Sequence, residues 1–238
     1  MKVSKTLLAS SVAAVLSAGF MAPAFAAPEV GASVGVASTY LWRGSDLGRG
    51  TPAVFGDLNV SAAGFYGGIW GSSGDAAAGT EYDLYAGYGG SVGDFSYGAS
   101  LWSYNYPTGS GYDKDGETDF TDWSDAVVTL GYGPVSFNAY IPVGKGNSSG
   151  DYMYYTLGAS IGAFSVLVGM HSDAPNVSDG PTGGCSADET SDSCSPVHLN
   201  VSYAYNDNLS FTVSQFIADE TEADDMKFVV SYTMPLGE

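Results

Sequence analysis

Positive charge is scarce in this chain. Its 238 residues include seven lysines and arginines against 26 aspartates and glutamates. A chain this acidic repels phosphate groups instead of releasing their counterions, so nucleic acid is excluded as a partner. The acids either keep exposed loops soluble or attract cations, and the sequence leaves both interpretations open.

Long apolar stretches are also missing after the first 26 residues. Near the N-terminus, two lysines precede the apolar run 7–16, and small residues ending in Ala24-Phe25-Ala26 follow. This order is typical of a cleavable export signal, and a permanent membrane helix is the weaker alternative because the run is short. We therefore expect residues 1–26 to be removed. Residues 27–238 then form one exported domain, in which five cations against 26 acids leave a net charge of −21.

Cysteine and histidine occur only twice each. Cys185 and Cys194 lie in the longest predicted loop, 173–195, and export through an oxidising compartment favours a disulfide between them. Two cysteines without a nearby histidine make a poor zinc site. A nucleophilic serine needs a base within reach, and only His171 and His198 could serve. We assign no catalytic residue, no metal ligand and no cofactor, and we predict that the protein is not an enzyme.

Short segments of alternating apolar and polar residues dominate the rest of the chain. Residues 135–141, 197–203 and 226–232 show the pattern, with Val, Leu, Phe and Tyr on one face and Ser, Asn, His and Lys on the other. Period-two alternation indicates β-strands. A polar inner face and an apolar outer face indicate a transmembrane barrel. A soluble β-sandwich or lipocalin-like barrel is the alternative.

The alternation predicts an all-β protein of twelve strands. We place them at 30–40, 52–62, 65–73, 80–90, 95–106, 123–133, 135–143, 151–162, 164–172, 196–206, 209–218 and 225–235. Tight turns rich in Gly, Asn and Asp alternate with longer connections that hold most of the acids. Outer-membrane barrels have short periplasmic turns and longer external loops. The sequence thus predicts a transmembrane, antiparallel, up-and-down β-barrel with both termini in the periplasm.

Inward positions supply the candidates for lining a pore. They are Asp57, Asn59, Asp83, Tyr154, Thr156, His198, Asn200 and Lys227. A buried cation is costly unless it is paired or hydrated, so Lys227 either forms an ion pair or selects the solute. Inward Gly and Ser favour an open lumen, whereas inward Trp70, Tyr85, Trp102 and Tyr154 could close it.

Two predicted loops carry dense acids. One contains Asp113, Asp115, Glu117 and Asp119, and the other Asp219, Glu220, Glu222, Asp224 and Asp225. Oxygen donors at this density can hold calcium, but the spacing lacks the length and terminal bidentate Glu of a helix–loop–helix site. A solvated acidic rim is the preferred interpretation, calcium binding stays open, and such a rim predicts a preference for cations.

The N-terminal third resembles the TorF family of porins. The resemblance lies in residues 38–44 with 51–53, in 64–72 and in 81–88. It implies a Gram-negative outer-membrane protein of undefined solute, and it supplies no functional residues. Many such barrels end in an aromatic residue, whereas this chain ends Met-Pro-Leu-Gly-Glu, so its mode of assembly stays open.

Together these observations predict a porin-like channel for passive diffusion of small hydrophilic solutes, with a preference for cations. Twelve strands enclose a narrower lumen than the sixteen of a general porin. The expected partners are outer-membrane lipid and small solutes or cations, and the oligomeric state is open. The alternative is a closed barrel whose external loops bind a partner or a surface.

Single cysteines test the predicted orientation. In a background without the native cysteines, Ser148→Cys and Glu222→Cys should react with an impermeant thiol reagent on whole cells, because both lie in predicted external loops. Ala63→Cys and Asn206→Cys, in predicted periplasmic turns, should stay unlabelled. Labelling of both pairs, or of the turn pair alone, contradicts the orientation.

Overall fold

A computed structural model describes residues 27–109, 123–143, 152–172, 174–175, 193–218 and 225–237. These residues form sixteen β-strands, and no helix among them is long and apolar enough to cross a membrane. The strands are β1 (Glu29–Ala37), β2 (Leu41–Trp42), β3 (Ser45–Asp46), β4 (Ala53–Ala62), β5 (Phe65–Asp75), β6 (Gly79–Val92), β7 (Phe95–Asn105), β8 (Trp123–Tyr132), β9 (Val135–Pro142), β10 (Met153–Ile161), β11 (Phe164–Ser172), β12 (Ala174–Pro175), β13 (Ser193–Cys194), β14 (Val197–Ala204), β15 (Leu209–Ala218) and β16 (Lys227–Pro235).

Twelve of these strands form a closed antiparallel barrel. The four others, β2, β3, β12 and β13, pair as two small separate ribbons. Each barrel strand pairs with the next one along the chain, and β1 closes on β16 from Ser33↔Pro235 to Ala37↔Ser231. Closure leaves the barrel no unpaired edge. The predicted twelve-stranded, antiparallel, up-and-down barrel is confirmed.

The tight turns define one end of the barrel, here called the turn end. Ala63 and Gly64 both have positive φ, 52° and 86°, as the two-residue turns that match the twist of a hairpin require. Glu29 pairs with Ser61 and Ser33 pairs with Pro235, so β1 begins and β16 ends at this same end of the barrel. The opposite end is the loop end.

One connection at the loop end is shorter than expected. β5 and β6 extend beyond their predicted bounds, so only residues 76–78 join them. The Asp75 carboxylate accepts the backbone N–H groups of Ala77 and Ala78, at 2.8 and 2.7 Å. The long loop predicted here is therefore wrong, because the aspartate stabilises a tight turn through its own side chain.

Side-chain burial follows the predicted alternation. On β10, Leu157 and Ile161 are 55% and 80% exposed, whereas Tyr154 and Thr156 are 4% and 2% exposed. Every barrel strand carries at least one exposed large apolar side chain. Polar groups thus lie inside the barrel and apolar ones outside, the reverse of a soluble barrel.

The connection between β1 and β4 folds into the barrel instead of outward. Its centre, residues 40–46, is called the inner hairpin, in which β2 pairs with β3. Arg43 and Gly44 form the tip with φ of 45° and 86°. A Cβ atom at Gly44 would lie 2.6 Å from Cγ of His198, on β14. Both the positive φ and this close approach require glycine there.

Paired arginine substitutions on β14 test which face meets lipid. Val201→Arg, at an exposed position, should impair assembly in vesicles, because a charge near the bilayer midplane costs about 2–4 kcal/mol on a barrel's outer wall. Ser202→Arg, whose half-buried side chain lies inside, should be tolerated better. Heat-modifiable gel mobility reports folding. Equal damage from both substitutions contradicts a lipid-facing outer wall.

Candidate functional site

Arg43, at the tip of the inner hairpin, is the centre of a buried cluster. Its Nη2 donates to Oδ2 of Asp125, on β8, at 2.7 Å, and its Nη1 donates to the Tyr152 hydroxyl at 3.1 Å. The guanidinium carbon also lies 4.3–5.7 Å from the ring centroids of Trp42, Tyr140, Tyr152 and Tyr154. Aromatic faces attract a desolvated cation, so ion pairing and cation–π contacts act together here.

A closed circuit of hydrogen bonds ties the tip to the barrel wall. Tyr152 receives the Arg43 bond and lies 3.0 Å from Nδ1 of His171, while Nε2 of His171 lies 2.9 Å from the Arg43 carbonyl oxygen. A carbonyl oxygen only accepts, so the His171 proton is on Nε2 and Tyr152 donates to Nδ1. Burial raises the pKa of Tyr152, which keeps this donor protonated.

His198 is held in the same manner. Its Nδ1 donates to the side-chain oxygen of Asn200 at 3.0 Å, and its Nε2 accepts from Tyr154 at 2.8 Å. The Tyr154 and His198 rings are nearly parallel, with an interplanar angle of 6°. Both nitrogens of each histidine are thus engaged by phenol, amide or backbone groups.

The inner face of β6 contributes two buried acids to a second side of the cluster. Glu81, Asp83 and Tyr85 alternate on this strand and so share one face. Glu81 accepts from Tyr40 at 2.7 Å and from Tyr106 at 3.0 Å. Burial and the Glu81 carboxylate raise the pKa of Tyr40, so this phenol remains a donor.

Asp83 differs from the other buried acids. Its side chain is fully buried, and neither carboxylate oxygen meets a hydrogen-bond donor among the residues that the structure describes. Strand register places Asp83 opposite Trp70 on β5 and Tyr104 on β7. Glu81 lies two residues away on the same face of β6, but a carboxyl can donate to another carboxyl only when one of the two acids is protonated.

The half of the interior near the turn end is lined by small residues. Several of its inward positions are small and at least partly exposed, namely Gly68, Gly87, Gly131, Ser136, Gly158 and Ser160. At mid-height, Thr129 donates to Asn138, which donates to Thr156. The interior therefore has a polar, lightly filled half at the turn end and a charged, aromatic half around the inner hairpin.

All eight candidate pore residues lie on the inner wall. Asp83, Tyr154, His198 and Asn200 belong to the cluster described above. Asp57 accepts hydrogen bonds from Tyr85, at 2.8 Å, and from Asn59. Thr156 accepts a hydrogen bond from Asn138. Lys227 Nζ lies 5.3 Å from the Phe216 ring centroid. Whether these side chains line an open pore stays a prediction.

Sequence reasoning missed the central roles of Arg43, Asp125 and Glu81. The two acids could have been found from the inward parity of their strands. Arg43 stands before a glycine in a turn-forming stretch, but nothing local indicates that this turn points inward.

Most of the predicted acidic rim falls outside the described residues. These positions are Asp113, Asp115, Glu117, Asp119, Asp219, Glu220, Glu222 and Asp224, whereas Asp225 is described and exposed. Cys185 also lies outside them, while Cys194 is in β13, so the disulfide stays a prediction. Within the described ranges no group of three or more His, Cys, Asp or Glu side chains could hold a metal ion.

The fold and interior define a twelve-stranded antiparallel barrel with an apolar outer face and a polar, partly filled lumen. The chain belongs to a family of bacterial proteins of unknown function, Gcw_chp, whose model matches residues 22–183. The match includes the inner hairpin, Asp83 and Asp125. No curated protein matches the chain.

A double-substitution cycle tests the buried ion pair. Arg43→Met or Asp125→Asn alone leaves one charge buried and unpaired, so each should lower the free energy of unfolding by about 3–5 kcal/mol. In the double variant, the decrease in the free energy of unfolding should be smaller than the sum of the two single decreases, because no unpaired charge remains. Urea unfolding of the folded protein in detergent measures this.

Arg49→Met is the matched control, because Arg49 lies in the same connection but is exposed. Arg49→Met should change the free energy of unfolding by no more than about 0.5 kcal/mol. An Arg43→Met variant as stable as this control contradicts the assigned role of the ion pair.

Proposed function

We propose that the protein is a Gram-negative outer-membrane channel that conducts small hydrophilic solutes and prefers cations. The observation that carries the proposal is a closed barrel with an apolar outside and a polar inside. An apolar surface that encircles a whole barrel far exceeds the patches that soluble monomers expose. The predicted cleavable signal at residues 1–26 and the resemblance to TorF porins support the same location, with outer-membrane lipid as the partner.

The charges around the inner hairpin support the preference for cations. Glu81, Asp83 and Asp125 are buried on the inner wall, while Arg43 is the cation that pairs with Asp125 at 2.7 Å. These three acids therefore outnumber the cation at the tip of the inner hairpin. Acids that line a confined, low-dielectric passage raise the local concentration of cations.

The division of the interior supports small solutes. The small residues of the turn-end half form a vestibule, and the inner hairpin narrows the passage beyond it. A solute that passes this constriction must fit between the hairpin and the wall, so size limits the passage before charge does. Permeation by passive diffusion needs neither a catalytic residue nor a cofactor, and we propose none.

The second candidate is a closed barrel whose external loops bind a partner or a surface. The observation that favours it is the way in which the inner hairpin is fixed. The buried pair of Arg43 with Asp125 and the His171 circuit hold it, while Trp70 and Tyr85 pack with its residues. A hairpin that never moves would leave no passage.

Planar-bilayer recordings separate the two candidates. In a KCl gradient the reversal potential should show preference for K⁺ over Cl⁻, and the preference should shrink as salt rises, because the Debye length falls from about 10 Å at 0.1 M to about 3 Å at 1 M. Glu81→Gln should weaken the preference if the constriction sets it. If the acidic rim sets the preference for K⁺, that preference should weaken when the rim acids are neutralised together. These are Asp219, Glu220, Glu222, Asp224 and Asp225. Anion preference contradicts the proposed selectivity, and absence of conductance favours the closed barrel.

A further inference from the structure

The interior contains two buried aspartates in different situations. Asp125 is paired with a guanidinium that the chain itself provides, and aromatic rings surround that guanidinium. Asp83 is equally buried but meets no donor among the described residues. Both lie in the same part of the interior, because Tyr104, the register partner of Asp83 on β7, donates a hydrogen bond to Asp125 at 3.2 Å.

Aromatic residues of the two neighbouring strands lie opposite Asp83. Trp70 and Tyr104 are its register partners on either side. Tyr85, two residues further along β6, stacks on Trp102 with ring centroids 4.4 Å apart. A carboxylate among aromatic faces matches a cation that both donates hydrogen bonds and presents a weakly hydrated surface.

We propose that Asp83 binds the ammonium or guanidinium group of a small organic cation, with Trp70 and Tyr104 flanking the bound group. The proposal rests on the proposed function in that it names the class of solute that the channel takes. Binding itself does not depend on conduction, so the two can be tested separately.

An organic cation fits these residues better than a metal ion. Calcium needs six to eight oxygen ligands and magnesium six in near-ideal octahedral geometry. The oxygens of Glu81 are already engaged by Tyr40 and Tyr106, and the flanking register partners of Asp83 are aromatic. Rings supply cation–π attraction but no oxygen ligands to a metal, whereas N–H donors can satisfy both oxygens of one carboxylate.

At the proposed site, Trp102 is the residue that would control access to Asp83 from the turn end. The stacked pair of Tyr85 and Trp102 lies on the turn-end side of Asp83, because Tyr85 follows Asp83 on β6 and Trp102 is its register partner. Trp102 is only half-buried, and its Nε1 donates to Ser100 at 3.1 Å. Rotation of this ring opens Asp83 to the vestibule, so binding should change tryptophan fluorescence.

Calorimetric titration of the full folded chain in detergent tests the site at constant ionic strength. The probes are guanidinium and ethylammonium at millimolar concentration, with sodium as the inorganic cation and acetate as the anion. Both organic cations should bind more tightly than sodium, and acetate should not bind. Asp83→Asn should weaken guanidinium binding about tenfold or more, since hydrogen bonds to a charged group and its Coulomb attraction are both lost.

Asp57→Asn is the matched control. Asp57 is another inward aspartate, but Tyr85 and Asn59 satisfy it, so binding should change less than about twofold. Asp83→Asn should fold at least as well as the unaltered chain, because it removes an unpaired buried charge. Trp70→Leu should weaken guanidinium binding while leaving sodium binding unchanged.

Several results would overturn the site. These are no binding of either organic cation by the unaltered chain, equal losses in Asp83→Asn and Asp57→Asn, or unchanged binding in Asp83→Asn. A chain that binds guanidinium but does not conduct retains the site and refutes the channel. A chain that conducts without binding refutes the site alone.

Discussion

Closure of the sheet is the constraint on which the rest of the structure depends. Once β1 pairs with β16, each strand has one face inside and one outside. Every polar side chain of a strand must then share a narrow interior with the polar side chains of eleven others. Buried polar groups need partners, and this requirement explains the dense hydrogen bonding among Thr129, Asn138 and Thr156 and around both histidines.

The inner hairpin fills the space that the strands alone leave at the loop end. A twelve-stranded barrel is too wide for its inward side chains to meet across the centre. Arg43 supplies a long side chain from the middle of that space, and Asp125, Tyr152 and four aromatic rings receive it. The cluster is held by contacts between a connection and the wall, in which the ion pair, the hydrogen bonds and aromatic packing all take part.

The strands could be predicted from the sequence and the inner hairpin could not, for a physical reason. A strand in a barrel has different environments on its two faces, so apolar and polar residues alternate along it with a period of two. The tight turns are equally local, as at Ala63-Gly64. The contacts of Arg43 join residues 82 and 128 positions apart, and no local pattern specifies them. The same holds for Asp83, whose parity is visible in the sequence but whose lack of a donor is a property of the folded interior.

The inside-out arrangement of the barrel is tested most directly by a spin-label scan along β10 of the protein reconstituted in lipid vesicles. Single labels at successive positions from Met153 to Ile161 report collision rates with oxygen, which concentrates in lipid, and with a water-soluble nickel complex. Oxygen accessibility should peak at Leu157, Ala159 and Ile161, in antiphase with the nickel complex at Gly158 and Ser160. Rates without a period of two, or with both reagents in phase, would contradict an apolar outer wall in lipid around a polar interior.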